Sequence, residues 1–153
     1  MHGARPEAAD DAQNNGRPAF VIKAAIDDRR AKTFVLPAQK TMYGGKEIAP
    51  GDAVFVFASE NGGGCGLIAR GVVHTADAVA RRPGVARQTP RVSVTIRRTA
   101  LAARPLGRTE LKPFCAWNDG RPETELNFKL YRQATKKIVA ISPATAAFLD
   151  ALF

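Results

Sequence analysis

Ala53-Val54-Phe55-Val56-Phe57-Ala58, followed across a glycine-rich stretch by Gly66-Leu67-Ile68-Ala69-Arg70-Gly71-Val72-Val73, decides how this sequence folds. An unbroken apolar run after the turn residues Pro50-Gly51-Asp52 predicts a strand buried on both faces, hence a central one. The second run is β-branched, and Asn61-Gly62 with Gly63, Gly64 and Gly66 between the two predicts a hairpin.

Working outward, Phe20, Ile22, Ala24 and Ile26 alternate with Val21, Lys23 and Ala25, the period of a half-buried strand ended by Asp27-Asp28. Arg29 to Lys46 fits neither strand nor helix period, contains Pro37 and closes on Gly44-Gly45, so it reads as a long structured excursion. Asp77 to Pro90 reads as an exposed loop. Val92, Val94 and Ile96 face one way from a strand whose Arg91, Ser93, Thr95 and Arg97 face the other. Arg108 to Trp117 is expected to form a short helical turn stopped by Asn118-Asp119-Gly120, and Asn127 to cap a helix carrying Phe128, Leu130, Tyr131 and Ala134. A strand at Ile138 to Ile141 follows, and Ser142-Pro143 opens a last helix with Phe148, Leu149 and Leu152 on one side. Residues 1–17 lack apolar periodicity and read as a disordered tail, which leaves 18–153 as one domain.

Composition narrows the functional classes. The 153 residues are 45% hydrophobic, enough for a core, yet charges interrupt every apolar run before the length of a membrane span. No secretory signal pattern opens the chain, and Cys65 and Cys115 lack zinc-site spacing, so a reducing, cytoplasmic setting is expected. The net charge is +9, and nine arginines between Arg70 and Arg108 face a single acid, Asp77. Guanidinium groups so concentrated suit phosphate oxygens, although a solvated basic face with no partner would have the same composition. The two histidines, His2 and His74, leave most acid–base and metal constellations without members, and no phosphate loop, dinucleotide fingerprint or HExxH motif occurs. No catalytic residue, metal or cofactor is therefore assigned, and a monomer is favoured.

Gly51-Asp52, Phe55-Val56-Phe57-Ala58-Ser59 and Gly66-Leu67-Ile68-Ala69-Arg70-Gly71-Val72 together resemble the EVE family, which reads GD, aromatic strand, serine, then glycine-led strand. Leu130-Tyr131-Arg132 through Ile138-Val139-Ala140-Ile141-Ser142 looks like the family's last strand and its closing helix. The resemblance implies an α+β fold: a PUA-like β-barrel with flanking short helices and a C-terminal helix, related to ASCH and YTH domains. It also implies a domain that accommodates one nucleic-acid base, since some EVE domains are read as sensors of modified DNA bases. Ser59 matches the family's serine and is the position carried over. The first strand departs from the pattern, with Phe20-Val21 where many members have Tyr-Trp.

A flipped base needs a flat apolar wall, hydrogen-bonding groups at its edge and cations on its backbone. Trp117, Phe128, Tyr131 and Tyr43 are the candidate walls, and Ser59, Thr41 and Asn118 the candidate edge readers. Arg81, Arg82, Arg97 and Arg98 are the candidate phosphate contacts. The expected function is a non-catalytic domain that binds DNA or RNA through a modified or flipped base. The alternatives are a small nuclease or hydrolase of the ASCH type, using Lys40, Tyr43 and Asp119, or a small-ligand or protein-interaction module.

Overall fold

The computed structural model describes residues 17–60, 66–133 and 135–153. Six strands, β1 (Ala19–Ala24), β2 (Thr33–Met42), β3 (Ala53–Ala58), β4 (Gly66–Ala78), β5 (Arg91–Leu101) and β6 (Lys137–Ile141), close into a barrel in the order β1-β3-β4-β5-β2-β6. β1 runs parallel to β3 and β2 parallel to β6, while the other neighbours are antiparallel. Between β5 and β6 lie α1 (Arg108–Leu111) and α2 (Pro122–Leu126), which continues as a π-helical turn over Asn127–Tyr131; α3 (Pro143–Asp150) follows β6.

Strand alternation divides the apolar residues between two cores. Phe20, Ile22, Val54, Val56, Ile68, Val94, Ile96 and Ile138 fill the barrel interior. Val21, Phe55, Phe57, Val139 and Ile141 point outward from the same strands and pack beneath Leu111, Leu126, Leu130 and Leu149 of the helices. This is why β3 reads as one apolar run: each of its faces meets a different core. It also corrects the reading of β1, which is buried on both sides rather than half-buried, because the helices cover the face that carries Val21 and Lys23.

The excursion expected at 29–46 is largely β2. Its Phe34 and Leu36 point inward while Val35 lies exposed, but the register against β5 shifts between Leu36 and Gln39, and Ala38 takes a positive φ of 51°. Pro37 and this bulge hid the strand's period. β4 extends through Ala78, and β5 runs to Leu101, past the predicted Arg97. The helix expected over 108–117 stops after one turn, with Gly107 N–H bonded to Glu110 Oε1 at 2.7 Å. Asn127 is not a cap: it lies within the continuous α2 and π-helical run, where its Nδ2 donates to the Phe114 carbonyl at 3.0 Å. The expected cap at α3 is present, with the Thr145 N–H donating to Ser142 Oγ at 3.2 Å. Arg17 is held by a two-point ion pair to buried Asp52, at 2.7 and 2.8 Å. The predicted loop glycines 62–64, Cys65, His2 and Ala134 lie outside the described residues.

Candidate nucleic-acid interface

Two clusters meet at the π-helical turn. The first is aromatic. Tyr43, in the turn directly after β2, has a positive φ of 50°, and its carbonyl accepts the Ala140 N–H of β6 at 3.2 Å. Of the two glycines that follow, Gly44 takes a positive φ of 81°, and Gly45 is required by crowding, since a Cβ there would collide with the Ile138 carbonyl. The Tyr43 ring lies 5.9 Å from Phe128, and Trp117 stands edge-on to Phe128 at 5.6 Å. Arg132 lies over Phe128 at 4.8 Å and over Trp117 at 5.8 Å, with Lys129 over Tyr43 at 5.7 Å. Tyr43 and Trp117 remain 40% and 44% exposed, so this aromatic surface, already set among cations, is open to a flat guest.

The second cluster is polar and buried. In the parallel register of β1 and β3, Lys23 aligns with Phe57, and across β1 and β6 it aligns with Lys137. Both lysines therefore point from the barrel's outer wall toward the helices, one step beyond the apolar Val21 and Val139. Both are fully buried. Lys23 Nζ bonds to Glu60 at 3.1 Å and to the Leu130 carbonyl at 2.8 Å, and it sits 4.6 Å from the Tyr131 ring. Arg108 reaches the same Glu60 at 2.8 Å and lies 5.4 Å from Tyr131. Lys137 Nζ donates to the Gln133 carbonyl at 2.9 Å and to Thr135 Oγ1 at 3.3 Å.

The ionisation of this cluster follows from its burial. Burial lowers Lys23, partly offset by the hydrogen bond and charge of Glu60. For Glu60, burial alone would raise the carboxyl, but hydrogen bonds from Arg108, the backbone and Lys23 outweigh it and hold the pKa at about 2. Lys137 has no such carboxylate, so burial, with the charges of Lys23 and Lys40, brings it down to about 8. Ser59 directly precedes Glu60 in the chain. Its N–H donates to the Ala24 carbonyl at 2.8 Å, yet its buried Oγ has no hydrogen-bond partner among the described residues. Such a group costs about 1–3 kcal/mol unless something binds it.

The seven residues nominated as a base pocket thus separate. Tyr43, Phe128 and Trp117 come together, with Asn118 exposed in the turn beside Trp117. Tyr131 belongs to the buried cluster and Ser59 directly precedes its Glu60, while Phe128 and Tyr131 share the π-helical turn, which joins the two groups. Thr41 is elsewhere: its Oγ1 donates to the Pro90 carbonyl at 2.7 Å, anchoring the end of the arginine loop. Arg81 and Arg82 line a groove formed by that loop. Arg97 instead reaches His74 at 3.4 Å, and Arg98 donates to the Ala31 and Arg30 carbonyls. Of the trio considered for hydrolysis, Asp119 accepts the Arg121 N–H at 3.0 Å and the Thr124 hydroxyl at 3.1 Å, Lys40 lies at the arginine groove, and Tyr43 packs on Phe128.

Sequence reasoning missed Lys23, Lys137, Glu60, Arg108 and Arg132. A signal existed for Lys23, which alternates in step with Val21 on a strand whose second face is also covered. Among the described residues no three His, Cys, Asp or Glu side chains are grouped to hold a metal ion, and no helix is long and apolar enough to cross a membrane.

No protein-family model matches the chain, and no curated protein matches it significantly. Solved structures do. The DUF55 domain of human thymocyte nuclear protein 1 superposes with a TM-score of 0.60 at 14% identity, over 88% of this chain and 97% of that one. Human THYN1 protein in complex with 5-methylcytosine-containing DNA matches with a TM-score of 0.53 at 14% identity, over 88% and 96%. A Pseudomonas putida protein matches at 0.56 and 14% identity, over 88% and 98%. The fold of this chain is accordingly the PUA-like barrel that the sequence led us to expect.

Proposed function

We propose that this chain is a non-catalytic, EVE-type nucleic-acid-binding domain that takes one flipped or modified base at the Ser59 end of the barrel. The observation that carries the reading is the buried Ser59 hydroxyl, which has no hydrogen-bond partner among the described residues and directly precedes Glu60, the carboxylate that holds Lys23. The barrel interior is packed with side chains, so the base would sit on the outer wall, against the π-helical turn. There Ser59 would bond to the base edge, while Trp117, Phe128 and Tyr43 would stack an adjoining unpaired base. Arg132 and Arg108 would meet the flanking phosphates. A neighbour of the same fold solved with methylated DNA supports this assignment.

Fluorescence anisotropy with single-stranded oligonucleotides carrying a central cytosine, 5-methylcytosine or abasic site tests it. Wild type should prefer a base over the abasic site, and Ser59→Ala should reduce that preference about 5- to 30-fold. Trp117→Ala should weaken binding of every base-containing strand about 5- to 100-fold, the range for one lost stacking contact. Equal affinity for the abasic strand, with a response flat in salt, would refute the proposal.

A further inference from the structure

The loop at 79–90 is a built element. Gln88 Oε1 accepts the Arg82 N–H at 2.9 Å, and Gln88 Nε2 donates to the Arg82 and Val85 carbonyls at 2.8 and 3.1 Å. Its far end is tied to the barrel through Thr41, and its near end by Val79 N–H donating to the Arg91 carbonyl at 2.9 Å. Between loop and barrel lies a groove of about 780 Å³ whose walls carry Arg81, Arg82, Arg87, Arg91, Lys40 and Lys46, against the single acid Glu47. Among the described residues none of these six cations forms an ion pair with a carboxylate.

This groove does not end at the loop. A second depression of about 630 Å³ shares Ala38, Lys40 and Arg91 with it and continues along Asp27, Thr135 and Lys136 to Ala25. Ala25 follows the residue whose carbonyl holds the Ser59 N–H, and Thr135 accepts the Lys137 ammonium. The two depressions thus form one cationic track from the Ser59 end to the arginine loop, in which Asp27 and Glu47 are the only acids.

We propose that this track binds the sugar-phosphate backbone of duplex nucleic acid flanking the captured base, an inference that rests on the base-binding role of the Ser59 end. The lining favours phosphate over other anions and paired over unpaired strands. Four of the six groove cations are arginines, whose forks match phosphate oxygens, and no aromatic residue lines either depression, so unpaired bases would find nothing to stack on. Base selection and backbone grip are then separate functions of separate residues.

The test uses three labelled probes and a competitor: a duplex of about 16 base pairs with one unpaired central cytosine, the fully paired duplex, a trinucleotide, and polyglutamate. Arg81→Gln/Arg82→Gln/Arg87→Gln should weaken the unpaired-base duplex about 10- to 100-fold near 0.1 M salt and reduce the slope of log K against log salt by about 2 to 3, at about 0.9 per phosphate contact. Trinucleotide binding should be unchanged in this variant. Lys40→Gln/Lys46→Gln, on the opposite wall, should act in the same direction. Unaltered duplex affinity and slope in both variants would overturn the track while leaving base capture standing, as would polyglutamate competing as well as duplex. Conversely, Ser59→Ala binding the unpaired-base and fully paired duplexes as wild type does, with a full salt slope, would remove base capture and leave the track as a backbone site.

Discussion

The two groups of cations in this protein differ in what surrounds them. Lys23 and Lys137 are fully enclosed between the barrel wall and the helices, and each of their donated hydrogen bonds has a named acceptor. Arg81, Arg82 and Arg87 stand in solvent on a loop, and their charges meet no carboxylate among the described residues. A buried charge is coupled to folding because its hydration is lost when the chain closes around it. An exposed one is nearly neutral to folding and is felt by whatever binds. Substitutions that disturb the first group should therefore register in stability, and those in the second in salt-dependent binding.

The largest expected effect comes from taking away Glu60. Glu60→Ala leaves the Lys23 ammonium buried with only a carbonyl and a ring for company, and should cost about 3 kcal/mol in urea unfolding at neutral pH. In wild type the carboxyl, held at about 2 in the folded state against an ordinary 4.5, stabilises above the higher value and ceases to as pH falls through the lower. The variant's deficit should accordingly shrink between those limits. A deficit below about 0.5 kcal/mol at pH 7 would mean that Lys23 is neutral or hydrated, and would break the contrast at its strongest point.

How much of this was legible in the sequence depends on which pattern each element obeys. β3 could be read outright, since a run apolar at every position has only one use in a strand. β2 could not, because a bulge at Ala38 beside Pro37 resets the alternation on which such readings rest. Arginine clustering marked the loop groove, and the aromatic trio was named residue by residue, though nothing in linear order shows that Tyr43 meets Phe128 across β6. Lys23 and Lys137 escaped notice for a physical reason: a lysine in a strand is ordinarily outward-facing and wet, and only the later helices make that outward face an interior.

Next in size is the pH response of Lys137. Its pKa falls from 10.5 in the unfolded chain to about 8 when folded, so between these values the unfolded state holds more protons and stability rises with pH. Below about 8 the folded protein bears the cost of burying the charge. Lys137→Met removes that cost and the slope with it, so the variant should be the more stable by about 2 kcal/mol at pH 7 and should lose the advantage by pH 10.5. Urea midpoints for the pair across this range isolate Lys137 from the other groups that titrate there. A constant difference would show that its ammonium is not desolvated in the fold.

The smallest effect concerns the seam between the barrel and the exposed group. Thr41 Oγ1 and Thr41 N–H both donate to the Pro90 carbonyl, at 2.7 and 3.1 Å, one residue before Arg91 begins β5. Thr41→Val keeps the shape and the backbone bond and removes only the hydroxyl, so Pro90 retains a donor and the cost should be about 1 kcal/mol. What distinguishes this site is where that cost falls. If the arginine loop is a separate, weakly coupled element, its amides should exchange faster in the variant while those of β3 are unchanged, and duplex binding should weaken without a change in salt slope, since every cation remains in place. Equal acceleration of exchange in β3 would instead make loop and barrel one cooperative unit, and the exposed cations would then share in the folding energetics that the contrast assigns to the buried pair alone.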